Sequence, residues 1–163
     1  MESIEALKTR RSIRRFLSNP VQDDLIEQIL DVGRLAPTAR NVQPWHFIVV
    51  KDEHKRKTLS DITDYGKFIA DAPVCIVVIS EDTKYYLEDG CAATTNILNA
   101  AHSLGLGSCW VAGDKKQYSK EILSLLGAPA DFKLICLIAL GYPAGPGKCE
   151  KKKLSEVVHW EKF

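Results

Sequence analysis

Apolar positions along the chain fall into spaced segments and continuous ones. In residues 21–35, Leu25, Ile26, Ile29 and Leu30 recur at helical spacing. Asn19-Pro20 marks the turn before this helix and Pro37 its stop. A shorter helical opening carries Ile4 and Leu7. Residues 46–50 read as a strand, and the charged stretch 51–61 reads as a short exposed helix. Pro73 introduces Val74-Cys75-Ile76-Val77-Val78-Ile79, a β-branched run that suits a central strand buried on both faces. Residues 134–140 form a second such run. Between the two, residues 88–104 are helical but rich in Ala, Thr and Asn, with few bulky residues. Residues 106–111 predict a short strand, and 118–126 a helix stopped by Gly127 at the C′ position.

After Gly141-Tyr142-Pro143 the pattern changes. Residues 144–153 (AGPGKCEKKK) are extended and basic, and residues 154–163 carry Leu154, Val157, Val158 and Trp160. An apolar segment hung on a Gly/Pro linker needs a surface to cover, in its own subunit or in a partner. No repeat or linker divides the chain. Helices and strands interleave around a sheet, so the class is α/β or α+β, in a single domain over 1–163.

Composition narrows the function classes. The chain has 163 residues, 45% hydrophobic and 26% charged, with a net charge of +1. That balance argues against a general nucleic-acid binder and leaves any functional charge local. The first residues do not read as a targeting signal, and no apolar stretch is long enough to cross a bilayer. Cys75, Cys91, Cys109, Cys136 and Cys149 show no Cys-x-x-Cys spacing, so free thiols and a cytoplasmic setting are expected.

Three segments could carry chemistry. Lys8-Thr9-Arg10-Arg11-Ser12-Ile13-Arg14-Arg15 holds five cations and no acid. It is either a solvated helix end or a grip for phosphate, whose oxygens suit the guanidinium fork. Ala36-Pro37-Thr38-Ala39-Arg40-Asn41-Val42-Gln43-Pro44-Trp45 is a stiffened loop rich in hydroxyl and amide groups. It is either a capped turn or the rim of a planar heterocycle. Gly105-Leu106-Gly107-Ser108-Cys109-Trp110-Val111-Ala112-Gly113 lets backbone approach a ligand, or merely joins a helix to a strand tightly. There is no Gly-x-Gly-x-x-Gly fingerprint, Walker lysine, zinc pattern or Gly-x-Ser-x-Gly. The four histidines are scattered, without a catalytic partner.

Taken in order, these segments resemble the nitroreductase family of FMN-dependent oxidoreductases. The resemblance rests on Arg10-Arg11-Ser12-Ile13-Arg14-Arg15-Phe16, on the loop from Pro37 to Trp45, and on Ile69-Ala70-Asp71-Ala72-Pro73 before a strand. Gly105-Leu106-Gly107-Ser108-Cys109-Trp110 and Gly141-Tyr142-Pro143 complete it. It implies a three-layer α/β/α fold of the α+β class with a central mixed sheet. It also implies a homodimer with an exchanged C-terminal tail, residues 144–163 packing on the partner subunit, and FMN at the interface.

By the same resemblance, Arg10, Arg11 and Ser12 contact the phosphate and ribityl chain, and Arg14 lies by the flavin pyrimidine, where its charge tunes the cofactor. Thr38, Ala39 and Asn41, in the loop with Pro37 and Gln43, come from the other subunit. Backbone around Ala112 and Gly113, beside Trp110 and Val111, faces flavin N5 and O4. A tail lysine reaches the phosphate: Lys151 is the best match, with Lys148 or Lys153 as alternatives. The family often has arginine there, so a bidentate contact is lost. The chain is short for a covering insertion, which leaves the pocket open. Hydride from NADH or NADPH would pass through FMN to a small acceptor (nitroaromatic, quinone or flavin) by a ping-pong mechanism, with no catalytic protein acid or base and no metal. The alternatives are a non-enzymatic FMN carrier or sensor, or a flavin enzyme of this architecture with another reaction, such as reductive dehalogenation.

Overall fold

The computed structural model describes residues 2–163. Helix α1 (Ser3–Thr9) opens the chain and α2 (Asp23–Arg34) follows. Then come β1 (Trp45–Val50), α3 (Glu53–Ile62), β2 (Val74–Ser80) and α4 (Tyr86–Ser103). The series ends with β3 (Gly107–Ala112), α5 (Ser119–Leu125) and β4 (Lys133–Gly141). Single 3₁₀ turns occupy Ala39–Asn41, Lys67–Ile69 and Leu154–Glu156.

The two continuous apolar runs are the central strands of a four-stranded sheet ordered β1-β2-β4-β3. Their side chains alternate between two cores, as the strand period of two requires. Val74, Ile76 and Val78 meet Ile26 and Ile29 of α2 and Ile97, Leu98 and Ala101 of α4. Cys75, Val77 and Ile79 meet Leu59 of α3 and Ile122 and Leu123 of α5. The architecture is therefore three-layered α/β/α, of the α+β class.

One expectation is corrected: the sheet is not mixed. All three strand pairings are antiparallel, and parallel pairing is confined to an isolated bridge between Ser12 and Ser108. The reason is topological. β2 and β3 point the same way and are joined by α4, but β4 fills the slot between them, so each neighbour runs opposite.

β4 contains an irregularity with local consequences. Val78 pairs with Cys136 but Ile79 pairs with Leu134, which leaves Ile135 unopposed as a β-bulge. Ile135 thereby joins Cys136 on the α4 side of the sheet. Gly90 of α4 makes room for it, since a Cβ there would lie 2.6 Å from Ile135 Cγ1. The small residues of α4 thus serve first to seat the helix on its own sheet. Another row of that helix (Asn96, Asn99, Ala100, Ser103) and its C-cap Leu104 line an open groove of about 400 Å³ with Ala6, Leu7 and Val32.

Candidate functional site

Past α1 the basic segment runs extended along the free edge of β3. The Ile13 amide donates to Ser108 O at 2.9 Å, Leu17 N to Tyr142 O at 2.9 Å, and Ala144 N to Arg15 O at 3.0 Å. Gly107 makes this seat possible: a Cβ there would stand 2.8 Å from Ile13 Cβ. The tail returns over the same segment, and Arg11 clamps it. Its Nε donates to Cys149 O at 2.9 Å, and Nη1 donates to the carbonyls of Lys8 and Arg10, which lie at the end of α1.

Between this segment and the tail lies a cleft of about 380 Å³ lined by Ser12, Arg14, Arg15, Gly145, Gly147 and Lys148. A second cavity of about 160 Å³ adjoins it through Arg14, with Tyr65, Phe68, Trp110, Ala112 and Lys116 among its walls. The Arg14 guanidinium stands 5.9 Å over the Phe68 ring. Lys116 Nζ lies 3.0 Å from Asp64 Oδ2, and that hydrogen bond raises the ammonium pKa above its ordinary value. Burial pushes the Cys109 thiol up, against the smaller opposing effects of Arg14 and Ser12, so it stays protonated near neutrality.

The end of β3 is held rigidly. Tyr118 Oη donates to Ala112 O, Ser119 Oγ to Gly113 O, and Asp114 N to the bulge carbonyl of Ile135 at 3.1 Å. Tyr86 Oη donates to Asp114 Oδ1 at 2.9 Å, which raises the phenol pKa. Because a trans peptide points its C=O and N–H opposite ways, fixing the Ala112 carbonyl also aims the Gly113 amide. Ser108 turns its carbonyl to the open edge. The alternation of an antiparallel ladder gives Trp110 and Ala112 the same orientation, so their N–H groups address that edge too. A Cβ at Gly113 would meet Leu134 Cγ at 2.6 Å, so this close approach requires glycine.

The loop at 37–44 sits elsewhere. It leads into β1, the opposite edge strand, which β2 and β4 separate from β3 by about 14 Å at the usual strand spacing. Arg40, Asn41 and Gln43 have φ of 53°, 57° and 55°, each costing of order 1 kcal/mol for a residue other than glycine. Pro37, Asn41 and Gln43 are exposed, and Thr38 and Ala39 half-buried. Thr38 Oγ1 donates to Asp89 Oδ2 at 2.9 Å, and the Ala39 amide donates to Asp89 Oδ1 at 3.0 Å.

Within one chain, then, Ser12, Arg14, Lys148, Trp110, Val111 and Ala112 line two adjoining cavities, with Gly113 just beyond the last. Arg11 braces them. Arg10 is half-buried and lines neither cavity, and Lys151 lies in the exposed tail. Pro37, Thr38, Ala39, Asn41 and Gln43 are not brought to these cavities by their own chain.

The family model for the nitroreductase family matches residues 7–64 and 65–142. The chain belongs to the nitroreductase family. An Archaeoglobus fulgidus relative, provisionally named NADH dehydrogenase/NAD(P)H nitroreductase, is 39% identical over 149 residues, covering 87% of this chain and 86% of its own. A solved FMN-dependent nitroreductase from Clostridium difficile superposes with a TM-score of 0.92 at 32% identity, over 98% of this chain and 99% of that one. A provisionally named nitroreductase from Desulfovibrio desulfuricans, solved in complex with FMN, gives 0.89 at 32% identity over 100% and 98%. An iodotyrosine deiodinase of Thermotoga neapolitana is 26% identical over 166 residues, covering 85% of this chain and 87% of its own.

Sequence reasoning passed over several residues that line or neighbour these elements. Tyr65, Phe68 and Lys116 belong to no motif, and only the folded chain brings them to Arg14. Asp89 did leave a signal. It heads the buried row Asp89, Ala93, Ile97, Ala101 of α4, where an acid among apolar positions at i, i+4 spacing marks a charge with a purpose.

Proposed function

We propose that the chain is an FMN-dependent oxidoreductase that works as a homodimer, using NADH or NADPH to reduce a small acceptor. What carries this reading is the pair of cavities joined at Arg14. A hydroxyl- and cation-lined cleft suits a phosphate and its polyol chain, and an aromatic-walled cavity beside it suits a planar ring. The donor set fits FMN. Ser12, Lys148 and Arg10 would hold the phosphate end, with Arg11 bracing the segment and tail that carry them, and Arg14, Trp110, Val111, Ala112 and Gly113 would hold the ring. From Ser108 to Ala112 the strand rises about 13 Å, a span suited to an extended mononucleotide. When bound, FMN would supply the two-electron redox chemistry that links a nicotinamide donor to the acceptor. The protein's part is to bind, to orient, and to place the Arg14 charge beside the ring.

The dimer reading is supported by three features. The 37–43 loop lies too far from its own chain's cavities to complete them, which suits service to a partner's cofactor. The groove at α1, α2 and α4 is apolar, with Leu7 57% exposed. In the tail, Leu154 and Trp160 are 75% and 84% exposed, so residues 144–163 present an apolar surface suited to a neighbouring subunit. All five cysteines are free, in keeping with the cytoplasm. No helix among the described residues is long and apolar enough to cross a membrane.

The test is an anaerobic titration of FMN-loaded protein with each nucleotide, followed by a panel of nitroaromatics, quinones and free flavin. Bleaching of the flavin and re-oxidation by an acceptor is expected. A chain that takes up no FMN would sink the reading, and a yellow protein bleached by neither nucleotide would be a carrier or sensor. The deiodinase relative favours one second reading, reductive dehalogenation. Turnover of halogenated phenols in preference to the panel would select it.

A further inference from the structure

We propose that Asp89 is a positioning residue for the cofactor site: its buried carboxylate, acting through the Thr38 hydroxyl, locks residues 38–43 in the shape that presents them to the cofactor. This rests on the FMN reading above and extends it to a residue that touches no cofactor.

Asp89 is only 5% exposed. A buried carboxylate needs compensating partners, and the two oxygens of Asp89 find theirs in the loop, at Thr38 Oγ1 and Ala39 N. Its place in the first turn of α4 adds a favourable dipole. The bond directions then follow from chemistry. An ionised carboxylate only accepts, so Thr38 must give it its single hydroxyl proton. The lone pairs of Thr38 Oγ1 remain, and one receives the Gln43 amide at 3.1 Å. One oxygen atom therefore closes the loop, tying residue 38 to residue 43.

What this closure holds is otherwise poorly supported. Three residues of the segment take left-handed backbone, and Arg40, Asn41, Val42 and Gln43 are all exposed, so no apolar side chain anchors the bend. The remaining bonds are local: Asn41 N to Thr38 O and Val42 N to Ala39 O, both at 3.2 Å, and Gln43 Nε2 to Asn41 O at 3.2 Å. A strained, exposed loop persists only where its surroundings over-determine it, and here the determining contact is the carboxylate. An amide at position 89 cannot substitute cleanly, since it keeps one acceptor oxygen and would aim its NH2 at the second of two groups that are both donating.

The test uses the full chain with Thr38→Val, which keeps the shape and removes the hydroxyl, Thr38→Ser, which restores it, and Asp89→Asn. Two independent readouts are taken. One is the rate of tryptic cleavage after Arg40 without FMN, and the other is FMN affinity. Thr38→Val and Asp89→Asn should each raise cleavage and weaken FMN by at least about tenfold, the scale of a lost charge-assisted hydrogen bond, and Thr38→Ser should restore both. Unchanged cleavage in Thr38→Val overturns the lock, even if Asp89→Asn fails to fold. Faster cleavage with unchanged FMN affinity overturns the positioning role while leaving the flavin reading intact. If even the unaltered chain binds no FMN, the flavin reading falls and the positioning role falls with it.

Discussion

Arg11 donates to the carbonyls of Lys8, Arg10 and Cys149, whereas Arg14 is exposed, stands over Phe68 and lines both cavities. Two members of one charge run thus stand differently, one bracing the tail and the other open to both cavities. Arg14→Ala should lower the flavin midpoint potential by about 20–45 mV, the equivalent of roughly 1–2 kcal/mol in a two-electron couple. Dye equilibration under anaerobic conditions measures this. Lys148→Ala should cost about tenfold in FMN affinity, whereas Lys151→Ala matters only if the tail re-seats on a partner. His102 offers a pH test. Burial lowers its pKa from 6.5, Arg10 and Arg11 lower it further, and Glu5 opposes them. The unfolded chain therefore takes up the proton more readily than the folded one. Stability from this group is complete above about pH 6.5 and falls as pH drops through the lowered folded value. A melting series from pH 8 to 5 should show the decline, and His102→Gln should flatten it.

At the scale of elements, the decisive contact is the seat of residues 10–16 on the edge of β3. Gly107→Ala would drive a methyl group into Ile13, where the nearest atoms stand at 2.8 Å. Overpacking of this kind costs about 1–3 kcal/mol, and here it also displaces Ser12 and Arg14, so melting temperature and FMN affinity should fall together. Gly105→Ala makes the contrast. It has φ of +81° with nothing within 4 Å of an added Cβ. Its cost is conformational alone, about 1 kcal/mol, and FMN affinity should hold.

For the whole molecule, the question is what covers the groove at α1, α2 and α4. Leu7 is mostly exposed in the single chain, so Leu7→Glu costs the isolated fold little. If a second copy covers the groove, that substitution buries a charge without a partner. The variant should keep its circular dichroism yet run as a monomer by light scattering and lose FMN. A dimer with full flavin would locate the interface elsewhere.

Periodicity and composition determined much of this protein without help. The two short, β-branched apolar runs suited central strands, because six or seven consecutive apolar residues need packing on both faces. Gly127, with φ of +68°, closes α5 as its place in the sequence suggested. The motif order also pointed to the family. Other features belong to the folded chain alone. Strand direction was decided by where β4 inserts, a long-range choice that local pattern does not encode. The bulge at Ile135 exists because Gly90 leaves room for it across 45 residues of chain. The separation of the 37–43 loop from the arginine segment follows from sheet order. The partners of Asp89 lie 50 and 51 residues away in the sequence. Short-range spacing reports which face a residue occupies, and only packing decides what stands opposite it.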